Sequence, residues 1–333
     1  MDLSHAFNIA PMMDCTDRHC RYLMRLISRR ARLYTEMVTS NALVRGRDPA
    51  RFLAFDAAEQ PLALQLGGSD PAQLKEAARM AEDRGFAEVN LNVGCPSDRV
   101  TSGRFGACLM AEPNLVAECV AAMGNAVRIP ITVKTRIGID DLDSDAHLDA
   151  FIATVAAAGC DTFIIHARKA WLQGLSPKQN REIPPLRYER VYALKRTFPQ
   201  LRIVLNGGLK TCDAARRALT DTDGTALDGV MLGRVPYDEP YMLAEVDQLF
   251  FADQAPPASR ALVTEAYIDY ARRAIGGYVR PHHVLRHAVG LFHGRPNARL
   301  WRQTLTRLGQ EGGNLEEINV LARTLEGQTA LAA

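Results

Sequence analysis

The stretch Glu88-Val89-Asn90-Leu91-Asn92-Val93-Gly94-Cys95-Pro96-Ser97 decides the fold. Val89, Leu91 and Val93 alternate with polar residues at the period of a strand, and Gly94 with Pro96 stops the run. A thiol therefore stands at the C-terminal tip of a strand, just ahead of a loop. Taken alone, the stretch leaves two readings open, a structural cysteine and a catalytic one.

Seven further short apolar runs surround it, at 7–14, 33–38, 62–66, 131–136, 162–166, 203–206 and 229–232. Helical patterns separate them: 18–28 behind an Asp17 cap, 71–85 behind a Ser69 or Asp70 cap with Pro71 at its first position and a stop at Gly85, then 114–123, 147–158, 189–197, one capped by Thr211 or Asp213, and 241–251. Eight strands alternating with helices over about 245 residues predict a (β/α)8 TIM barrel, whose parallel strands are buried on both faces. A doubly wound sheet is the alternative, but no GxGxxG follows the first strand and no P-loop pattern is present.

The 333 residues suffice for such a barrel and a smaller second domain. Pro256-Pro257-Ala258-Ser259 reads as a linker, which divides the chain into 1–255 and a helical 256–333. No run of 18 apolar residues exists, so no membrane helix is expected. The first residues lack a signal-peptide pattern, and a cytoplasmic location is the expectation. Seven dispersed cysteines without CxxC pairs argue for free thiols rather than disulfides or zinc.

Barrel chemistry gathers at the C-terminal strand ends. Those ends carry Met12-Met13-Asp14, Gln65, Asn92 and Cys95, Lys134 and Arg136, His166 and Arg168, Asn206-Gly207-Gly208, and Gly233-Arg234. Each has a plain structural reading on its own; convergence on one mouth favours a site. A lysine inside Ile131-Thr132-Val133-Lys134-Thr135 is costly to bury without an anion. Backbone N–H groups of Gly207, Gly208, Gly233 and Arg234 could cradle a phosphate at the ends of the last two strands. Gln65, Lys134 and His166 could then bond the polar edge of a flat ring, where a cation stabilises an anionic reduced flavin. Carboxylate and histidine spacing fits no metal site.

These residues are familiar as a set. Ala10-Pro11-Met12-Met13-Asp14, Gln65-Leu66-Gly67-Gly68, Asn90-Leu91-Asn92-Val93-Gly94-Cys95-Pro96, Val133-Lys134-Thr135-Arg136-Ile137-Gly138, His166-Ala167-Arg168, Asn206-Gly207-Gly208 and Met231-Leu232-Gly233-Arg234 resemble the tRNA-dihydrouridine synthases. The loop 168–181 is similar to that of the A subfamily. The resemblance implies an FMN enzyme that uses NADPH to reduce the C5=C6 bond of uridine 20, with 20a left open, in the tRNA D-loop. It implies Pro11, Met12 and Met13 against the isoalloxazine, Gln65, Lys134 and His166 at its polar edge, and Asn206, Gly207, Gly208, Gly233 and Arg234 around the phosphate and ribityl chain. Cys95 would be the proton donor to C5 while hydride from reduced flavin goes to C6. A thiol of reference pKa about 8.5 is mostly protonated at neutral pH and suits that acid role. Asn92 becomes a candidate contact to the base.

The tail carries its own signal. From 271 to 310 there are eight arginines, four of the chain's eight histidines and no Asp or Glu, although the whole chain has a net charge of only +2. Ordinary surfaces mix signs, and arginine suits phosphate. Arg299 and Arg302, one turn apart, and Lys178 and Arg181 in the loop after the sixth strand are the expected tRNA contacts. A monomer without metal or membrane partner is expected. A dihydroorotate dehydrogenase-like flavin barrel gives no reason for the basic tail, and a non-catalytic RNA-binding barrel gives none for Cys95, Lys134 and His166.

Overall fold

The computed structural model describes residues 3–97, 100 and 102–331. Among these, nine strands form one parallel sheet: β1 (Phe7–Ile9), β2 (Leu33–Tyr34), β3 (Val38–Thr39), β4 (Leu62–Gly67), β5 (Glu88–Val93), β6 (Ile131–Arg136), β7 (Thr162–His166), β8 (Arg202–Asn206) and β9 (Gly229–Leu232). The order is β1-β9-β8-β7-β6-β5-β4-β2, with β3 also on β4. Arg32 closes the ring between β1 and β2: its N–H donates to Phe7 O (3.0 Å) and its carbonyl accepts from Ile9 N–H (2.9 Å). The fold is the expected (β/α)8 barrel.

Period-two alternation sorts each strand into two layers. Val89, Leu91 and Val93 of β5 join the apolar cluster between barrel and helices, with Leu62, Leu64 and Leu66 of β4. The other parity faces the barrel interior. There Ala10, Tyr34, Ala63, Ile164, Val204 and Met231 form a separate apolar cluster. Opposite them, Glu88, Asn90, Gln65 and Thr132 make the interior polar.

The predicted caps recur. Asp17 accepts from His19 and Cys20 N–H at the start of the helix Arg18–Ile27, and Asp70 with Pro71 opens Pro71–Arg84, which ends on Gly85 at φ 95°. Two expectations need correction. The second strand is not continuous: the Thr35 hydroxyl accepts the Gln65 N–H (3.1 Å) in place of a backbone carbonyl, and the ladder breaks into β2 and β3. The last helix, expected over 241–251, is instead a 3-10 turn Pro240–Glu245 followed by the helix Val246–Phe251, and a short helix Arg234–Asp238 precedes Pro240, which has no N–H to continue it.

Beyond Pro257 lie the helices Arg260–Ala274, Pro281–Leu285, Ala298–Glu311 and Glu316–Leu331. Their apolar residues, among them Tyr267, Trp301 and Leu305, continue the cluster that covers the barrel. Docking is specific. Tyr270 stacks on Tyr22 with centroids 4.0 Å apart and meets His19 Nδ1 at 2.6 Å. Asp17, already capping its helix, also accepts from Arg286 (2.9 Å) and His287 (3.0 Å).

Candidate active site

Strand register builds the mouth. Asn92 lies beside Lys134, Arg136 beside His166, His166 beside Asn206, and Asn206 beside Met231. The expected strand-end groups of β5 to β9 thus line one rim. Met12 comes to the same rim: its backbone N–H and carbonyl are held by Thr16, and a Cβ added at Gly233 would stand 3.4 Å from its sulfur. Pro11 and Met12 are half-buried, whereas Met13 is 55% exposed.

Cys95 is half-buried at the tip of β5. Its N–H and that of Gly94 donate to Asn92 Oδ1 (2.9 and 3.1 Å), its carbonyl accepts from Ala107 N–H (2.9 Å), and its sulfur lies 3.5 Å from Ser97 Oγ. Asn92 is therefore first of all the residue that shapes the thiol's turn, with one amide N–H left over. Its Nδ2 donates to Gln65 Oε1 (2.9 Å), Gln65 Nε2 to Asn90 Oδ1 (2.8 Å), Asn90 Nδ2 to Thr132 Oγ1 (2.8 Å), and Thr132 Oγ1 to Glu88 Oε1 (2.6 Å). All these bonds run in one sense, from the mouth down to a carboxylate. Glu88, an acceptor, is held by Arg32 (3.0 Å) and Tyr34 (3.0 Å) and lies 3.3 Å from His5. With Thr132 obliged to donate downward, each amide above it has one orientation. Glu88 was not among the expected site residues; a lone Glu opening a strand gives no local signal, since its partners lie far along the chain.

The mouth is cationic. The Lys134 side chain has no hydrogen bond or ion pair among the described residues, and burial, helped by Arg136 and opposed by Cys95, pushes it down to about 8. His166 is held well below the usual imidazole range by burial and by Arg136, Lys134, Arg168 and Arg181, which leaves a neutral ring at pH 7. Gly207 packs on that ring: a Cβ there would fall 2.5 Å from His166 Cδ2. Its φ of 110° and that of Gly208 at 73° also suit only glycine. Asn206 donates to Met231 O (2.8 Å), and Tyr188 OH to Gly207 O (2.5 Å). Arg234 pairs with Glu182 (2.7 Å). Arg168 donates to Pro184 O while its buried Nε has no partner.

Arg136 is 3% exposed and binds three carbonyls: Gly94 O (3.0 Å), Lys169 O (3.1 Å) and Asn180 O (2.9 Å). It fastens the thiol's turn to the loop after β7. That loop is wound around the buried Asn180, whose side chain bonds Trp171 N and O and Leu175 O. Lys178 and Arg181 stand exposed on its outside. Arg299 and Arg302 are exposed on the helix Ala298–Glu311, away from the mouth strands, and neither has a carboxylate partner among the described residues. No group of three or more His, Cys, Asp or Glu among the described residues could hold a metal. No helix among them is long and apolar enough to cross a membrane.

A mouth of this kind belongs to the (β/α)8-barrel enzymes, whose reacting groups gather where the strands end. The chain is a member of the dihydrouridine synthase family, whose model matches residues 8–326. It is 55% identical over 323 residues to the tRNA-dihydrouridine(20/20a) synthase of Shewanella oneidensis, covering 96% of this chain and 94% of that protein. Identity to the protein of that name from Vibrio cholerae is 54%, covering 94% of each, and to that from Escherichia coli K12 52%, covering 97% and 91%. Among solved structures, histamine dehydrogenase from Rhizobium sp. 4-9 matches the fold with a TM-score of 0.50 and 13% identity, over 79% of this chain and 48% of that one.

Proposed function

We propose that this chain is a cytoplasmic, monomeric tRNA-dihydrouridine synthase that binds FMN in the barrel mouth, is reduced by NADPH, and saturates the C5=C6 bond of uridine 20 and 20a in the D-loop. The observation that carries the reading is Lys134, a lysine at the rim with no anionic partner among the described residues, in register with Asn92, whose side chain holds the turn that presents Cys95. An anionic ring system supplies the missing partner.

FMN suits the residues present. Gln65, Lys134 and the neutral His166 would meet the polar edge of its ring, and Pro11, Met12 and Met13 its face. Asn206, Gly207, Gly208, Gly233 and Arg234 would surround the ribityl phosphate, with the unpartnered Arg168 Nε close by. The flavin these residues would hold would, once reduced by NADPH, supply the hydride for C6 of the uracil. Cys95 Sγ gives a proton to C5, and Asn92 keeps that thiol's turn in place while its remaining N–H faces the base. Lys178, Arg181, Arg299 and Arg302 grip phosphates, the last two from a helical region at 256–333 that serves as the RNA-binding domain. Pulling a nucleotide from folded tRNA into the mouth needs such a grip.

The test is mass-spectrometric mapping of unmodified tRNA after incubation with the protein, FMN and NADPH. A uridine heavier by two hydrogens at positions 20 and 20a is the expected result; an unmodified D-loop refutes the reading.

A further inference from the structure

We propose that Tyr278 is a stacking platform for an unpaired base of the RNA substrate, displayed on a short hairpin at the rim of the barrel mouth, with Arg273 and Arg280 beside it as phosphate ligands. The proposal rests on tRNA being the substrate.

Tyr278 is 99% exposed, while the other eight tyrosines are buried or half-buried. An aromatic ring is the side chain with most to gain from cover. Its support is ordered. Gly276 N–H donates to Val279 O (3.0 Å) and Val279 N–H to Gly276 O (2.9 Å), which makes Gly277-Tyr278 the two-residue tip of a hairpin turn. The tip needs a positive φ at its first position, and Gly277 provides it at 54°. The backbone under the ring is thus set before any partner arrives, and little has to be ordered on binding.

Both flanks of the hairpin are tied to the same place. Before it, Tyr270 is bonded to His19 and stacked on Tyr22; after it, Arg286 and His287 hold Asp17. Asp17 and His19 open the helix that follows β1, so they mark the mouth side of the barrel, the side of Cys95. The hairpin therefore leaves and rejoins the body at the rim that the substrate must approach.

Charge selects the partner. Arg272 is paired with Asp269 and Glu316, Arg286 with Asp17, and Arg307 with Glu317. Arg273 and Arg280, which bracket the hairpin, are exposed and have no carboxylate partner among the described residues. An aromatic face between unpaired guanidinium groups fits single-stranded nucleic acid, where a base stacks and adjacent phosphates take the forks.

The test is equilibrium binding of an unmodified tRNA transcript, with steady-state kinetics, for Tyr278→Ala, Tyr278→Phe and Arg280→Glu. Tyr278→Ala should weaken tRNA binding and raise the KM for tRNA about tenfold, the scale of one lost stack. Its kcat, its flavin reduction by NADPH and its thermal stability should stay as in the unaltered chain, and so should the salt slope of binding. Tyr278→Phe should bind within about twofold of the unaltered chain, because the π-face is kept. Arg280→Glu should lower the salt slope by about one. Equal binding by Tyr278→Ala overturns the proposal and points to a protein partner or none; a Phe variant as weak as Ala overturns the stacking role. If the unaltered chain neither binds nor reduces tRNA, the function falls and this proposal falls with it.

Discussion

Replacing Asn90 by leucine would cut the amide chain midway between Glu88 and the thiol's turn. Leucine keeps the branched outline at a larger volume, so the change removes two hydrogen bonds of 2.8 Å without opening a cavity. What remains is a Gln65 N–H and a Thr132 lone pair without partners in a fully buried place. At about 1–3 kcal/mol for each orphaned group, the loss is roughly 2–6 kcal/mol. An unfolding entropy of about 2.1 cal/mol/K per residue gives roughly 0.7 kcal/mol/K for this length, so Tm should fall by about 3–9 °C. Thr132→Val removes both the acceptor for Asn90 and a donor to Glu88, and should cost a similar amount. The functional consequence is larger than the thermal one. Gln65 is no longer held in the orientation that offers Oε1 to Asn92, and Asn92 is then free to release the N–H groups of Gly94 and Cys95. Single-turnover transfer from reduced flavin to tRNA should slow at least tenfold, with tRNA affinity unchanged. Calorimetry and stopped-flow absorbance at the flavin band read the two effects. A Tm shift under about 1 °C, or transfer at the unaltered rate, refutes the reasoning.

Other perturbations separate the parts of the site. Cys95→Ala should leave FMN bound and its reduction by NADPH normal, while transfer to tRNA drops by about two orders of magnitude or more; unchanged single-turnover transfer removes Cys95 from the acid role. Arg302→Glu should weaken tRNA binding and lower its salt slope by about one for each phosphate that is no longer neutralised, with NADPH oxidation untouched, and an unaltered slope argues against the phosphate role. Burial pushes the Asp17 carboxyl up, but hydrogen bonds from His287 and Cys20 N–H outweigh it and hold the group well below the usual carboxylate range. Its stabilisation of the docked tail is therefore present above the unfolded pKa of about 3.9 and fades as pH falls below it. Asp17→Asn should lower stability at neutral pH and shrink this acid-dependent part, and an acid denaturation curve identical to that of the parent chain excludes the latch.

The barrel was legible because its strand ends are punctuated: Gly94-Cys95-Pro96, Gly67-Gly68, Gly207-Gly208 and Gly233 each stop an apolar run where the chain turns over the mouth. Helix starts were legible where an acidic cap precedes proline or arginine, as at Asp70 and Asp17. Less could be read where a side chain replaces the backbone or where partners are remote. Thr35 breaks a strand with its own hydroxyl, and β-branched residues look like strand in any local pattern. Glu88 gains its meaning from Arg32, Tyr34 and Thr132, which are contiguous only after the ring closes. Arg136 read as a strand-end charge for the site, yet its guanidinium is spent on carbonyls. In the loop after β7, Asn180 is the centre, and an isolated asparagine between glutamine and arginine looks like any loop residue.

The three carbonyls on Arg136 have a mechanical consequence. Gly94 belongs to the turn of the thiol, and Lys169 and Asn180 to the loop that exposes Lys178 and Arg181. One planar fork with donors in several fixed directions spans all three; an ammonium of lysine is a point charge on a flexible stem and would let one side go. Force applied to the outer loop by a docking polyanion is therefore transmitted to the cysteine through a single rigid strut, and the two segments cannot drift apart while that strut holds. Arg136→Lys, conservative on paper, would leave both surfaces intact and uncouple them.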